Sequence, residues 1–224
     1  MAGKDRAKGN LNQGWMRIFG ILAALLFTQA CSSIAYVQLN DRLPTKGTTL
    51  IGKKAFLSVE DERKTKEFAG RGVKREFDNF SESIAYSVKK GAEPSLKQGL
   101  YDAPSLVKEA FRLRVENEGV EIVSEKKAGQ VELVFALQEF SLDLVDRTWK
   151  VRLGYEVRLL RDGAFLAKQF ATGEAERLKI LGTEQADAVV GDLLADVMNR
   201  LNLAKLFRDA GQEGTFEFCC RPRR

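Results

Sequence analysis

The chain has 224 residues and a net charge of +5, with 36 Lys and Arg against 31 Asp and Glu, three cysteines and no histidine. The missing histidine excludes Ser-His-Asp and Cys-His catalysis in their usual forms and removes the commonest metal ligand. The charge describes no basic face: Lys4, Arg6, Lys8 and Arg17 against Asp5 put +3 into residues 1–30, Arg221, Arg223 and Arg224 sit in the last four positions, and the body between is near neutral, so nothing in it asks for a nucleic-acid partner.

Residues 1–16 are polar and precede Arg17 and an apolar run, Ile18–Phe27, interrupted by Gly20. A positive leader, a short apolar segment and small residues before a cut is the pattern of a secretory signal peptide, and the run is shorter than the roughly 20 apolar residues that span a bilayer. The next residues are Thr28, Gln29, Ala30 and Cys31. This stretch resembles the lipobox of bacterial lipoproteins, with Ala30–Cys31 at the cleavage point and Thr28 where leucine is usual. The resemblance implies loss of residues 1–30 and lipidation of Cys31, with a membrane partner engaged through N-terminal acyl chains. An ordinary signal peptide and an uncleaved anchor are the alternatives. Ser32 stands where Asp, in such lipoproteins, favours retention in the inner membrane, so the implied address is the periplasmic side of the outer membrane. Cutting 30 residues from 224 leaves 194 and lowers +5 by 3 to +2, enough chain for one real core.

Residues 31–53, with Pro44, Gly47 and Gly52, read as a flexible tether. Ala55–Val59 is a compact β-type run, ended by Glu60-Asp61-Glu62-Arg63. Residues 64–101 are too long for a plain loop; alternation of Ile84, Tyr86 and Val88 suggests a strand over Ser83–Lys89, with turns at Gly70, Gly72, Gly91 and Pro94. Asp102-Ala103-Pro104 opens a helix, with Asp102 as cap and Pro104 in the first turn, and Leu106, Val107, Ala110 and Phe111 on its apolar face. Gly119 stops it. Val120–Val123 is a short strand. Val131–Leu144 is a longer one, apolar on both faces at its start, which predicts a central place in a sheet.

Trp149–Leu159 alternates cleanly, with Trp149, Val151, Leu153, Tyr155, Val157 and Leu159 on one side and Lys150, Arg152, Glu156 and Arg158 on the other. Asp162-Gly163 signals a hairpin, so Ala164–Glu174 returns antiparallel. With a two-residue loop, Leu159 pairs with Leu166 and Tyr155 with Phe170 on the buried side. Thr183 caps a second helix whose apolar stripe runs from Ala186 through Val189, Val190, Leu193, Leu194, Val197 and Met198 to Leu201, and that stripe must lie on the sheet. The expected fold class is α+β: one antiparallel sheet of about four to five strands with two helices on one face, over residues 54–206. Residues 207–224 read as a disordered basic tail. Its adjacent Cys219 and Cys220 can form only a strained vicinal ring, stay free or cross-link chains.

Glu60, Asp61 and Glu62 are the densest carboxylates, and in a strand only Glu60 and Glu62 share a side. Salt pairing with Arg63 or solvation is expected there, with a calcium site as the sharper alternative. No phosphate loop or dinucleotide fingerprint appears, and no catalytic, metal or cofactor-binding residue is expected.

The Val59-Glu60-Asp61-Glu62-Arg63 stretch, the following Gly70 and Gly72 and the two-helix layout resemble the YajG-like group of bacterial envelope lipoproteins, which carry a Val-x-Asp-x-Arg motif after the first strand. The resemblance covers about residues 54–206. It implies a non-enzymatic outer-membrane lipoprotein with a binding or auxiliary role in envelope assembly or transport, and an unidentified envelope protein as partner. Asp61 and Arg63, matching the motif, are read as a structural pair or a partner contact. A lipid or lipopolysaccharide carrier with an apolar cavity and a carboxylate-dependent hydrolase are the competing functions.

Overall fold

The computed structural model describes residues 35–42, 47–89 and 97–211, all within the compact unit Ile34–Arg224. The leader and Cys31, and Cys219, Cys220 and the rest of 212–224, lie outside the described residues, as do Pro44, Gly91 and Pro94.

The fold is α+β, built on two sheets rather than one. A five-stranded sheet has the order β5-β2-β6-β7-β8, where β2 is Lys54–Asp61, β5 Glu121–Val123, β6 Val131–Val145, β7 Thr148–Arg161 and β8 Ala164–Leu178. A three-stranded sheet has the order β1-β3-β4, where β1 is Ala35–Arg42, β3 Phe80–Lys89 and β4 Lys97–Tyr101. Four helices are described: α1 (Arg71–Glu76), α2 (Ala103–Asn117), α3 (Glu184–Asn199) and α4 (Leu203–Asp209).

The expectation of an all-antiparallel sheet fails at β2, which runs parallel to both β5 and β6. The chain leaves β2 at the far end and returns through α2 to β5, and a helical crossover joins parallel strands. Alternation reveals a strand but carries no information on its partner. The doubly apolar β6 is indeed the middle strand of five.

The expected tether is the second correction. Residues 35–42 form β1, paired in parallel with β3, and Val37 and Leu39 are 0% and 1% exposed. Within this strand Val37 and Leu39 are the buried apolar side chains, a short signal, and two are enough because β1 needs to bury one face. At the other end α4 buries Leu206 and Phe207, so the folded chain extends past residue 206 and the expected tail cannot begin at 207.

Capping follows the residue types in part. Asp102 accepts from Ser105 N–H at 2.9 Å, and Pro104 sits in the first turn of α2. Gly119 closes the end with φ +96°, a left-handed conformation that suits glycine. Thr183 occupies the N-cap position of α3, but its side chain makes no cap; its carbonyl accepts from Ala186 and Asp187.

All six inward residues of β7 are buried as the alternation requires. Their partners on β8 are shifted by one. Leu159 pairs with Ala167 and Tyr155 with Ala171, because the register slips between Leu159 and Leu160 and leaves Leu166 as an extra residue. A single bulge exchanges the two faces of a strand, so Phe170 is 75% exposed and the inner face of β8 presents Ala167, Ala171, Gly173 and Ala175.

Those small residues let α3 approach. A Cβ on Gly173 would lie 2.6 Å from Val197 Cγ2 and 2.9 Å from Leu193 Cδ1. Tyr155, buried beneath, donates to the Val197 carbonyl at 2.9 Å, and burial pushes its phenol well above the ordinary value. The other flank of α3 meets β1: Leu39 lies against Gly191, and Asp187 accepts from the Gln38 N–H at 2.9 Å. Helix α2 packs over β2 and β6 through large side chains instead, where Phe111, Phe135 and Tyr155 form a row of tilted rings 4.6 Å apart. Among the described residues no helix is long and apolar enough to cross a membrane.

The β8 geometry gives a paired expectation. Gly173→Val should lower unfolding free energy by about 1–3 kcal/mol, the usual cost of over-packing, whereas Phe170→Thr should change it by under about 0.5 kcal/mol. Urea denaturation of the two variants checks both.

Candidate functional site

The Asp61–Arg63 motif lies where β2 leaves the sheet beside β6. After the Glu139 region, where the β6–β7 register slips, the edge left by β2 is taken up again by residues 68–70. Glu62 N–H donates to the Leu137 carbonyl, Leu142 N–H to Phe68, and Gly70 N–H to Leu142. The motif therefore bridges an interruption in the β2–β6 ladder.

Arg63 points inward. Its side chain is 3% exposed and clasps Asp61 through Nε–Oδ1 at 2.9 Å and Nη2–Oδ2 at 3.1 Å, while its own backbone N–H donates to Asp61 Oδ1 at 3.1 Å. A third guanidinium contact, Nη1 to the Phe140 carbonyl at 3.4 Å, ties the clasp to β6. Lys66 Nζ donates to the Asp61 carbonyl at 2.7 Å. The Arg63 hydrogen bonds, helped by Lys66, hold the Asp61 carboxyl below its ordinary value against the opposing effect of burial.

Two open clefts flank this clasp. One, of about 820 Å³, runs between the 62–71 segment and β6 past Arg63, Phe68, Arg71, Glu139 and Phe140. The other, of about 370 Å³, is bordered by Asp61, Glu67, Glu82 and Asp102. Four carboxylates from three separate stretches thus meet around one cleft, and no sequence spacing announces them. Each is already engaged. Asp61 holds Arg63, Glu67 pairs with Lys74 at 2.8 Å, and Asp102 caps α2. Glu82 accepts from the Phe68 and Ala69 N–H groups at 2.7 and 3.1 Å and pairs with Lys74 at 3.0 Å. Among the described residues no group of three or more acidic or sulfur side chains is placed to hold a metal.

Gly70 and Gly72 are explained by close approach. A Cβ on Gly72 would sit 1.8 Å from the Leu144 carbonyl oxygen, and one on Gly70 2.3 Å from the Asp143 carboxyl carbon. Asp143 Oδ1 in turn accepts from the Gly72 N–H at 2.8 Å. The glycines let the start of α1 press against β6 where any side chain would part them.

Glu60 and Glu62 do share a side, but they do not pair with Arg63, which follows Asp61 to the other face. Arg158 on β7 takes them instead, at 3.1 Å to Glu60, 2.6 Å to Glu62 and 2.7 Å to Glu156. The cation between these carboxylates is thus a guanidinium. Its hydrogen bond, followed by that of Lys168, holds Glu156 below the ordinary carboxylate value. The alternation of β7 already placed Glu156 and Arg158 outward; that β2 lies two strands from β7 was not legible.

No family model matches the chain, and no curated protein does. Solved structures do resemble it. A Xanthomonas campestris protein of the DUF330 family aligns with a TM-score of 0.46 at 14% identity, over 79% of this chain and 97% of its own. A minor lipoprotein from Acinetobacter baumannii aligns at 0.39 and 10%, over 73% and 95% respectively. Rare lipoprotein B from Shewanella oneidensis aligns at 0.32 and 12%, over 65% and 89%.

Asp61→Asn strands a buried guanidinium and should cost about 3 kcal/mol at neutral pH. Because the folded value of Asp61 lies below 3.8, the pair's contribution is complete above that pH and is lost as pH falls through the folded value. Urea titrations of both proteins should therefore show a constant gap at neutral pH that narrows as pH drops below about 3.8. Gly72→Ala should cost about 2 kcal/mol or more, read from thermal unfolding, because backbone must move to admit the methyl.

Proposed function

We propose that this chain is a bacterial envelope lipoprotein, acylated at Cys31, held at the periplasmic face of the outer membrane, and non-enzymatic. The YajG-like resemblance belongs to this reading. The observation that carries it is the leader Arg17–Ser33: an apolar run too short to span, closed by Ala30–Cys31 immediately before a folded domain. A thiol at a new N-terminus can carry acyl chains, and three chains exceed the two signals that stable membrane residence requires.

The site supports a structural and binding role over a reactive one. A carboxylate held low by a clasping arginine is a poor general acid at neutral pH, and its neighbours in the cleft are committed to N–H groups and lysines. The clefts beside the motif are open surface features suited to a protein partner, and the folded domain would meet that envelope partner there. The carrier reading needs an apolar cavity between helices and sheet. Phe111, Phe135, Tyr155, Leu193 and Val197 fill that layer with side chains at most 4% exposed, which favours the binding role.

Cys31→Ser should move the protein from the membrane fraction to the soluble fraction of the periplasm or leave it unprocessed, with loss of the acyl mass from the N-terminal peptide. Fractionation with mass spectrometry reads both. A variant that stayed with membranes at unchanged mass would refute the anchor.

A further inference from the structure

One end of the domain gathers exposed apolar side chains. The β6–β7 hairpin turns there at Asp146 and Arg147, both with positive φ, and β8 ends beside it, where Lys179 N–H donates to the Arg147 carbonyl at 2.8 Å. Val145, Thr148 and Leu178 lie in one row across the three strands. Val145 is 40% exposed, Leu178 61%, and the following Ile180 and Leu181 74% and 79%. An apolar cluster standing this far into solvent marks an interaction surface.

The same end carries the start of β1. Ala35 pairs with Phe80, the Phe80 and Phe77 rings lie 6.2 Å apart, Phe77 stacks on Trp149 at 6.0 Å, and Lys179 Nζ sits 5.6 Å over Phe77. Each step is a direct neighbour, so the chain enters the fold beside the apolar tip. From Cys31 to Ala35 there are four residue steps, which span at most about 14 Å when fully extended. An acyl chain on Cys31 would thus keep this end near the lipid surface.

We propose that the tip formed by Val145, Leu178, Ile180 and Leu181 inserts into the interfacial region of the bilayer that receives the acyl chains of Cys31, fixing the orientation of the domain on the membrane. The inference rests on the anchor reading above and adds a second, protein-side contact. The occupant is lipid because four residue steps from Cys31 keep this end close to the bilayer, and because exposed apolar side chains suit the headgroup boundary. Asp146 and the Lys179–Glu76 pair offset the flanking cations Arg147 and Lys179, so insertion is driven by apolar contact and depends little on anionic lipid.

The test uses the full acylated protein in phosphatidylethanolamine–phosphatidylglycerol vesicles. Leu181→Cys and, near the opposite end of β8, Lys168→Cys are each made with Cys219→Ser and Cys220→Ser, and labelled with an environment-sensitive fluorophore. Lipids bearing a nitroxide high on the acyl chain should remove about half or more of the emission at 181, at the roughly 5–10 Å depth of interfacial insertion, and leave 168 unchanged. A label at 181 as open to aqueous iodide as that at 168 would overturn the inference. So would shielding from iodide without nitroxide quenching, which would place a protein partner or a second copy on the tip. An acylated chain with an aqueous position 181 removes this inference alone; a chain with no acyl mass removes the anchor reading and this inference together.

Discussion

Helix α3 is gripped from two sides, and the fit depends on β8 having almost no side chains where the helix crosses it. Gly173 faces Leu193 and Val197 at distances that leave no room for a methyl, and on the opposite flank Gly191 accommodates Leu39 of β1. The helix thereby joins the five-stranded sheet to the three-stranded one. Without the bulge at Leu166, Phe170 would point at α3 in place of Ala171, and the two layers could not close. A one-residue irregularity in a hairpin thus determines how the halves of the core meet.

Charge is used for a different purpose on each face of β2. Asp61 turns inward and neutralises a guanidinium that would otherwise be buried alone, at a point where the β2–β6 ladder is broken. Glu60 and Glu62 turn outward and, with Glu156, surround Arg158. Beneath that outer network Val134 and Ala136 are 3% and 0% exposed, covered by the stems of long charged side chains. In both arrangements the charged groups are paired within the fold. A motif that looks like candidate chemistry in one dimension is, in three, the splice between a strand and the segment that continues it.

The presence of β1 also changes the mechanical picture of an anchored domain. A tether of about twenty residues would let the body swing freely over the lipid, and any face could serve a partner. With β1 already paired from Ala35, an anchor at Cys31 would have little slack.

Much of the local structure was legible in the residues: the alternation of β7, the central place of β6, the start and stop of α2, and the apolar stripe of α3. These are short-range signals, because burial on one face imposes a period of 2 or 3.6 on the sequence itself. Asp61 and Arg63 are singled out by the motif resemblance and not by any period, and the structure places them in one clasp. What the sequence could not hold were the parallel pairing of β2, the entry of β1 into a second sheet, the bulge that turned Phe170 outward, and the meeting of Glu60 and Glu62 with an arginine 96 positions or more away. Each depends on which distant surface a segment meets, and that choice is made only when the layers pack.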